Sequence, residues 1–187
     1  MNGNLAYQEE PRTELLDGRT VMMSSPSVNH NRVASNIYLA FWSYLKGKTC
    51  ETFSDGVDVY LSEKDRVIPD VMIICNRNII HLDGIHGAPD LVVEVLSPST
   101  AKNDKGYKKD LYEKSGVKEY WIVDPNMRSI EAYLLSNGRY ILDGFYGLFP
   151  DTLGITEKER TESKKEIQLS LYNNFCIPLE EIFCNLF

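Results

Sequence analysis

No apolar run in this 187-residue chain approaches the roughly 20 residues that a membrane-spanning helix needs. The opening MNGNLAYQEEPRTELL has neither the basic n-region nor the apolar h-region of a secretory signal. The expectation is a cytoplasmic protein with no membrane attachment. The four cysteines, at 50, 75, 176 and 184, form no C-x-x-C pair and have no histidine at zinc spacing. Zinc modules are thereby excluded, a disulfide framework has no support, and reduced, mostly buried thiols are expected. An excess of positive charge is lacking too. A net charge of −7 excludes nonspecific nucleic-acid affinity over the whole surface, because such affinity comes from neutralising phosphates. There is no internal repeat, low-complexity tract or dividing linker, so one domain over residues 1–187 is expected, with a flexible N-terminus at 1–12 and a polar surface excursion at 149–170.

What is present is ordinary for a globular protein, with 43% hydrophobic and 25% charged residues. Asp17-Gly18 between two short apolar runs signals a type I′ hairpin, as does Asn137-Gly138 in SIEAYLLSNGRYIL. A helix is expected after Ser27 as N-cap, with Val33, Ile37, Ala40, Phe41, Tyr44 and Leu45 on its inner face and Gly47 past its end. Strands are expected at 57–61, 67–75, 91–96 and 119–124, a loop at 76–88, and a helix from Lys102 to Ser115 ended by Gly116. The closing SLYNNFCIPLEEIF carries a short apolar segment suited to docking on the core. This order implies an α/β fold with a mixed central sheet flanked by helices.

Glu94 lies inside the apolar run LVVEVL, where an unpaired charge would cost several kcal/mol. If strands 67–75 and 90–97 are antiparallel neighbours, Asp70 falls opposite Glu94, with Cβ atoms about 4.5–5.5 Å apart. Like charges so placed need a proton or a cation between them, and such oxygen ligands suit Mg²⁺ or Mn²⁺. Asp90, four residues from Glu94, is roughly 13 Å along the strand and cannot share that ion. On the following helix, at about 100° per residue, Asp104, Lys108, Leu111, Tyr112 and Ser115 share the inward stripe. Lys108 there either reaches the helix edge or meets a buried carboxylate. From spacing alone two readings stand: a Glu94–Lys108 ion pair with no chemistry, or a phosphodiester-hydrolysing site in which a metal and Lys108 prepare water.

The motifs DGRTVMMSSPSVNHNRV, VIPDVMII, APDLVVEVLSPST, DKGYKKDLY and GVKEYWIVDP resemble, in this order, the Uma-two family of putative restriction endonucleases in the PD-(D/E)XK nuclease superfamily. The resemblance runs from about Thr13 to the final IPLEEIF. It implies a restriction-endonuclease-like fold, a Mg²⁺-dependent DNA endonuclease (Mn²⁺ substituting), Asp70 and Glu94 as metal ligands, and Lys108 as third catalytic residue. The superfamily's usual lysine two residues after the Glu is replaced by Leu96, and helix 28–46 has none of the acidic residues many members carry there. Glu14 or His30 could approach the site instead, and Asp104 is expected to cap its helix or hold Lys108. DNA as substrate and a homodimer suited to double-strand cutting follow from the same resemblance. The alternative is a non-catalytic module of the same fold that binds nucleic acid or a protein partner.

Overall fold

Asp17 and Gly18 both adopt the left-handed backbone, at φ 50° and 73°, as a type I′ turn requires. They join β1 (Thr13–Leu16) to β2 (Arg19–Met22) in an antiparallel hairpin. The computed structural model describes residues 12–148, 156 and 164–187. The expected N-terminal flexible stretch, apart from Arg12, and most of the expected excursion lie outside the described residues.

Helix α1 (Val28–Leu45) begins where the Ser27 hydroxyl accepts the His30 amide. It buries Val33, Ala34, Ile37, Phe41 and Leu45, the stripe that 3.6-residue periodicity dictates. After it come β3 (Glu51–Ser54), β4 (Val59–Ser62), β5 (Asp65–Val67) and β6 (Val71–Ile74). The expected single strand at 67–75 is therefore two. At Ile68-Pro69-Asp70 the chain passes from one sheet to another, because β5 pairs with β1 and β4 while β6 pairs with β3 and β9. The expected loop at 76–88 contains two short strands, β7 (Ile80–His81) and β8 (Gly84–His86).

The central sheet runs β12-β11-β10-β9-β6-β3, from β9 (Leu91–Val95), β10 (Glu119–Asp124), β11 (Ser129–Ser136) and β12 (Arg139–Gly147) with β6 and β3. Strands β9 and β10 are parallel, and β6–β9, β10–β11 and β11–β12 are antiparallel. The parallel pair needs a crossover, supplied by α2 (Ala101–Lys105) and α3 (Tyr107–Ser115). The helix expected at 102–115 breaks at Gly106, whose φ −115° and ψ −104° are not helical. A Cβ there would lie 2.9 Å from the Lys102 carbonyl, so glycine permits the break.

Alternation along β9 divides the core. Val93 and Val95 pack with Trp121, Val123 and the α1 stripe on one face, joined by Ile167, Ile177, Leu179 and Ile182. Val92, Met72 and Ile74 meet Leu111 and Tyr112 of α3, with Val59, Val67 and Ile85 of the second sheet, β2-β1-β5-β4-β8-β7. Strand β14 (Cys176–Pro178) and helix α4 (Leu179–Ile182) dock on the α1 face as expected, and strand β13 (Glu166–Gln168) joins them. The far end of the 149–170 segment is thus core, with Ile167 and Leu169 buried.

The expectation of reduced, mostly buried thiols does not hold. Cys50 and Cys75 form a disulfide, and of the free pair Cys176 is exposed and Cys184 half-buried. The cause is register: Glu51 pairs with Ile74 across β3 and β6, so the next positions outward face each other. Cysteine spacing in the chain cannot express that.

Candidate active site

Val71 pairs with Val93, Met72 with Val92 and Ile73 with Leu91. One step further, the register sets Asp70 opposite Glu94, as the sequence pattern predicts. Parity along both strands then turns the two carboxylates to the face covered by α3. Glu94 and Lys108 are each 3% exposed and Asp104 1%.

Lys108 Nζ is the hub. It lies 2.7 Å from Glu94 Oε1, 3.0 Å from Glu14 Oε1 and 3.6 Å from Asp104 Oδ1. Glu14 Oε1 also accepts the Ile68 amide at 2.9 Å, and Tyr112 donates its hydroxyl to Glu94 Oε1 at 2.6 Å. Asp70 Oδ2 accepts the Val95 amide at 2.7 Å and faces His30 Nε2 at 3.3 Å. Five elements thus converge: β1, the approach to β6, β9, the broken helix and the first turn of α1.

The electrostatics follow from burial. Burial pushes the Glu94 carboxyl well above the usual range, with Lys108 opposing and Asp104, Asp70 and Glu14 adding to the rise. Asp104 is raised for the same reason. Burial works against the Lys108 ammonium, yet Glu94, Glu14 and Asp104 outweigh it and its pKa rises well above the ordinary value. His30 is raised too, burial being overcome by Asp70.

Four carboxylates, those of Glu14, Asp70, Glu94 and Asp104, therefore surround one lysine and one histidine. Both Asp104 oxygens and His30 Nδ1 are buried without a hydrogen-bond partner among the described residues. Negative charge is in excess, and the donors are the oxygen type that Mg²⁺ and Mn²⁺ take. Among the described residues no three acidic, histidine or cysteine side chains are spaced to hold a metal by themselves. Asp70 and Glu94 suit an ion that is held by one or two carboxylates and completes its shell with water and phosphate. The residues line a small cavity of about 50 Å³, together with Arg12, Asp55, Ser24 and Ser97.

Asp70, Glu94 and Lys108, singled out from the sequence, are brought together. Asp104 holds Lys108 but makes no side-chain cap bond. Glu14 and His30, weak candidates by sequence, are in direct contact with the cluster, because only tertiary packing brings the hairpin and the start of α1 there. Tyr112 reads from sequence as plain core, although its place one turn after Lys108 on the same stripe is a signal. His81 meets His86 edge-on and His86 stacks on Tyr60, and neither histidine lines the cavity.

A family model described as "Putative restriction endonuclease", the Uma2 family, matches residues 4–158. Two curated relatives from Synechocystis sp., both uncharacterised proteins, are similar. The protein slr1290 is 29% identical over 133 residues, covering 69% of this chain and 70% of that one. The protein sll1609 is 28% identical over 131 residues, covering 67% and 73%. Among solved structures, a putative nuclease belonging to DUF820 from Anabaena variabilis superposes with a TM-score of 0.67 at 18% identity. It covers 94% of this chain and 91% of its own, which establishes a shared fold.

Proposed function

The chain belongs to the Uma2 family, and from that premise we propose that it is a metal-dependent endonuclease that hydrolyses DNA phosphodiester bonds. The observation that carries the reading is the buried Lys108 ammonium 2.7 Å from Glu94, with Asp70 in register on the neighbouring strand. Asp70 and Glu94 hold the divalent ion, Mg²⁺ or Mn²⁺, which supplies charge neutralisation at the phosphate and a lowered pKa for bound water. Lys108 holds the attacking water and stabilises charge developing on the phosphate. Glu14 and Asp104 keep that ammonium charged and fixed, and Tyr112 orients Glu94. Cutting both strands calls for two such sites, which a homodimer provides.

One observation favours a second reading. Lys108 is engaged by Glu94 and Glu14 together, an ion-pair network that can stand as structure alone, as a non-catalytic module binding nucleic acid or protein would have it. Conversion of supercoiled plasmid to nicked and linear forms separates the two. Cleavage that needs Mg²⁺ or Mn²⁺ and is abolished in Glu94→Gln and Lys108→Met is expected. Cleavage unchanged in both variants, or none in the wild type with either ion, contradicts the nuclease reading.

A further inference from the structure

The cavity has an unusual rim. Arg12 is the only arginine lining it among the described residues. Its guanidinium donates in parallel to the two oxygens of Asp55, Nη1 to Oδ2 at 2.7 Å and Nη2 to Oδ1 at 2.6 Å. The Arg12 backbone is fixed, since its carbonyl accepts the Met23 amide at 2.9 Å, which seats it at the end of the β1–β2 hairpin. Asp55 follows β3 and lines both this cavity and a second cleft of about 270 Å³ beside His30 and Asp70. The pair therefore stands where the two hollows meet. A second link spans the same rim: Ser24 Oγ lies 2.8 Å from Ser99 Oγ, which lies 3.0 Å from Ser97 Oγ.

A planar guanidinium grips a carboxylate and a phosphate with the same two-pronged geometry. The cavity behind it holds four carboxylates against Lys108 and His30, so away from the position of the divalent ion a polyanion meets repulsion except at a cation on the rim. Lys108 cannot be that rim cation, because it is sunk beneath Glu94 and Glu14 and acts only on the reacting phosphate. Arg12 can, since 44% of its side chain is exposed, as long as it exchanges partners.

We infer that Arg12 is a phosphate ligand for the nucleic-acid backbone and that Asp55 holds the place of that phosphate until substrate arrives. The inference rests on the nuclease reading and adds to it a substrate-binding residue outside the metal and lysine cluster, with a built-in competitor. Binding exchanges one bidentate anion for another, and the Ser24, Ser97 and Ser99 hydroxyls, bonded to one another here, can exchange those bonds for phosphate oxygens. Asp55 weakens binding of short or poorly placed anions, because each must displace it.

The test is anisotropy of a fluorescein-labelled mixed-sequence DNA duplex, with Ca²⁺ in place of Mg²⁺, on the full chain and on Arg12→Ala and Asp55→Asn. Arg12→Ala is expected to weaken binding about tenfold, as a lost charge-assisted pair does, and to lower the salt slope by about one. Asp55→Asn is expected to tighten binding about threefold by freeing Arg12. A purely structural pair would not produce opposite effects. If both variants bind more weakly, or both bind as the wild type does, the assignment of Arg12 is overturned while the nuclease reading stands. If the wild type does not bind the duplex at all, the nuclease reading falls and this assignment falls with it.

Discussion

Lys108 Nζ and Glu94 Oε1 lie 2.7 Å apart with both side chains 4% exposed, although a turn and a broken helix separate them in the chain. Glu94 is on a central strand and Lys108 is on the crossover that returns the chain to the parallel neighbour. The βαβ connection thus delivers the lysine to the carboxylate. Replacing Lys108 with methionine leaves Glu14, Glu94 and Asp104 without their shared cation, and removing one member of a buried charge network costs about 3–5 kcal/mol. Urea unfolding at neutral pH should show a loss of that size. The double variant Lys108→Met/Glu94→Gln should lose less than the sum of its parts, as coupled residues do.

Asp65 anchors the same end of α3, through the residue just before Lys108. It accepts the Tyr107 hydroxyl at 2.6 Å, the Ser62 hydroxyl at 2.7 Å and the Asp17 amide at 3.0 Å. Burial alone would raise its pKa, but these donors outweigh it and hold the carboxyl below its ordinary 3.8, while Tyr107 is pushed up to about 12, by burial first and then by Asp65. A group whose folded pKa is depressed adds stability above its unfolded value and loses it as pH falls through the folded value. Asp65→Asn should therefore be less stable than the wild type at pH near 7, by about 2 kcal/mol for charge-assisted bonds. The gap should close below pH 3.8. Urea midpoints at the two pH values measure it.

The Cys50–Cys75 disulfide closes a stretch of sequence separation 25, for which loop-closure entropy is worth about 3.5 kcal/mol. Reduction with dithiothreitol, or Cys50→Ser, should lower stability by about that amount. The transition should remain a single one, because β3 and β6 keep their ladder. Thermal melts with and without reductant check both statements.

The strands that carry the site are the most readable part of this sequence. VIPDVMII and LVVEVL declare buried strands by their apolar runs, and the register follows from asking which pairing gives two acidic residues a common reason to be there. The inward face of Lys108 is legible because helical periodicity survives on both sides of Gly106. The break at Gly106 is not, since Lys102 to Ser115 keeps a helical pattern and only the local backbone shows where the axis turns. Glu14 and His30 are only weakly legible, for a different reason. Each belongs to an element whose own pattern is satisfied, a hairpin and a capped helix, and their contact with Asp70 and Lys108 exists only once the second sheet and α1 close on the central one. The short strands β3, β7 and β8 lack length and alternation, and pairing with neighbours defines them. Residues 149–155 and 157–163 lie outside the described residues.

Asp70, at the approach to β6, and Glu94, on β9, are proposed to hold a divalent cation beside Lys108. Titration calorimetry with Mn²⁺ on the wild type and on Glu94→Gln tests this without any nucleic-acid substrate. Saturable binding in the wild type that is lost in Glu94→Gln, with both proteins folded by circular dichroism, is the predicted result. Absence of binding in the wild type, or equal binding in both proteins, would contradict it and leave the cluster as a buried ion-pair network.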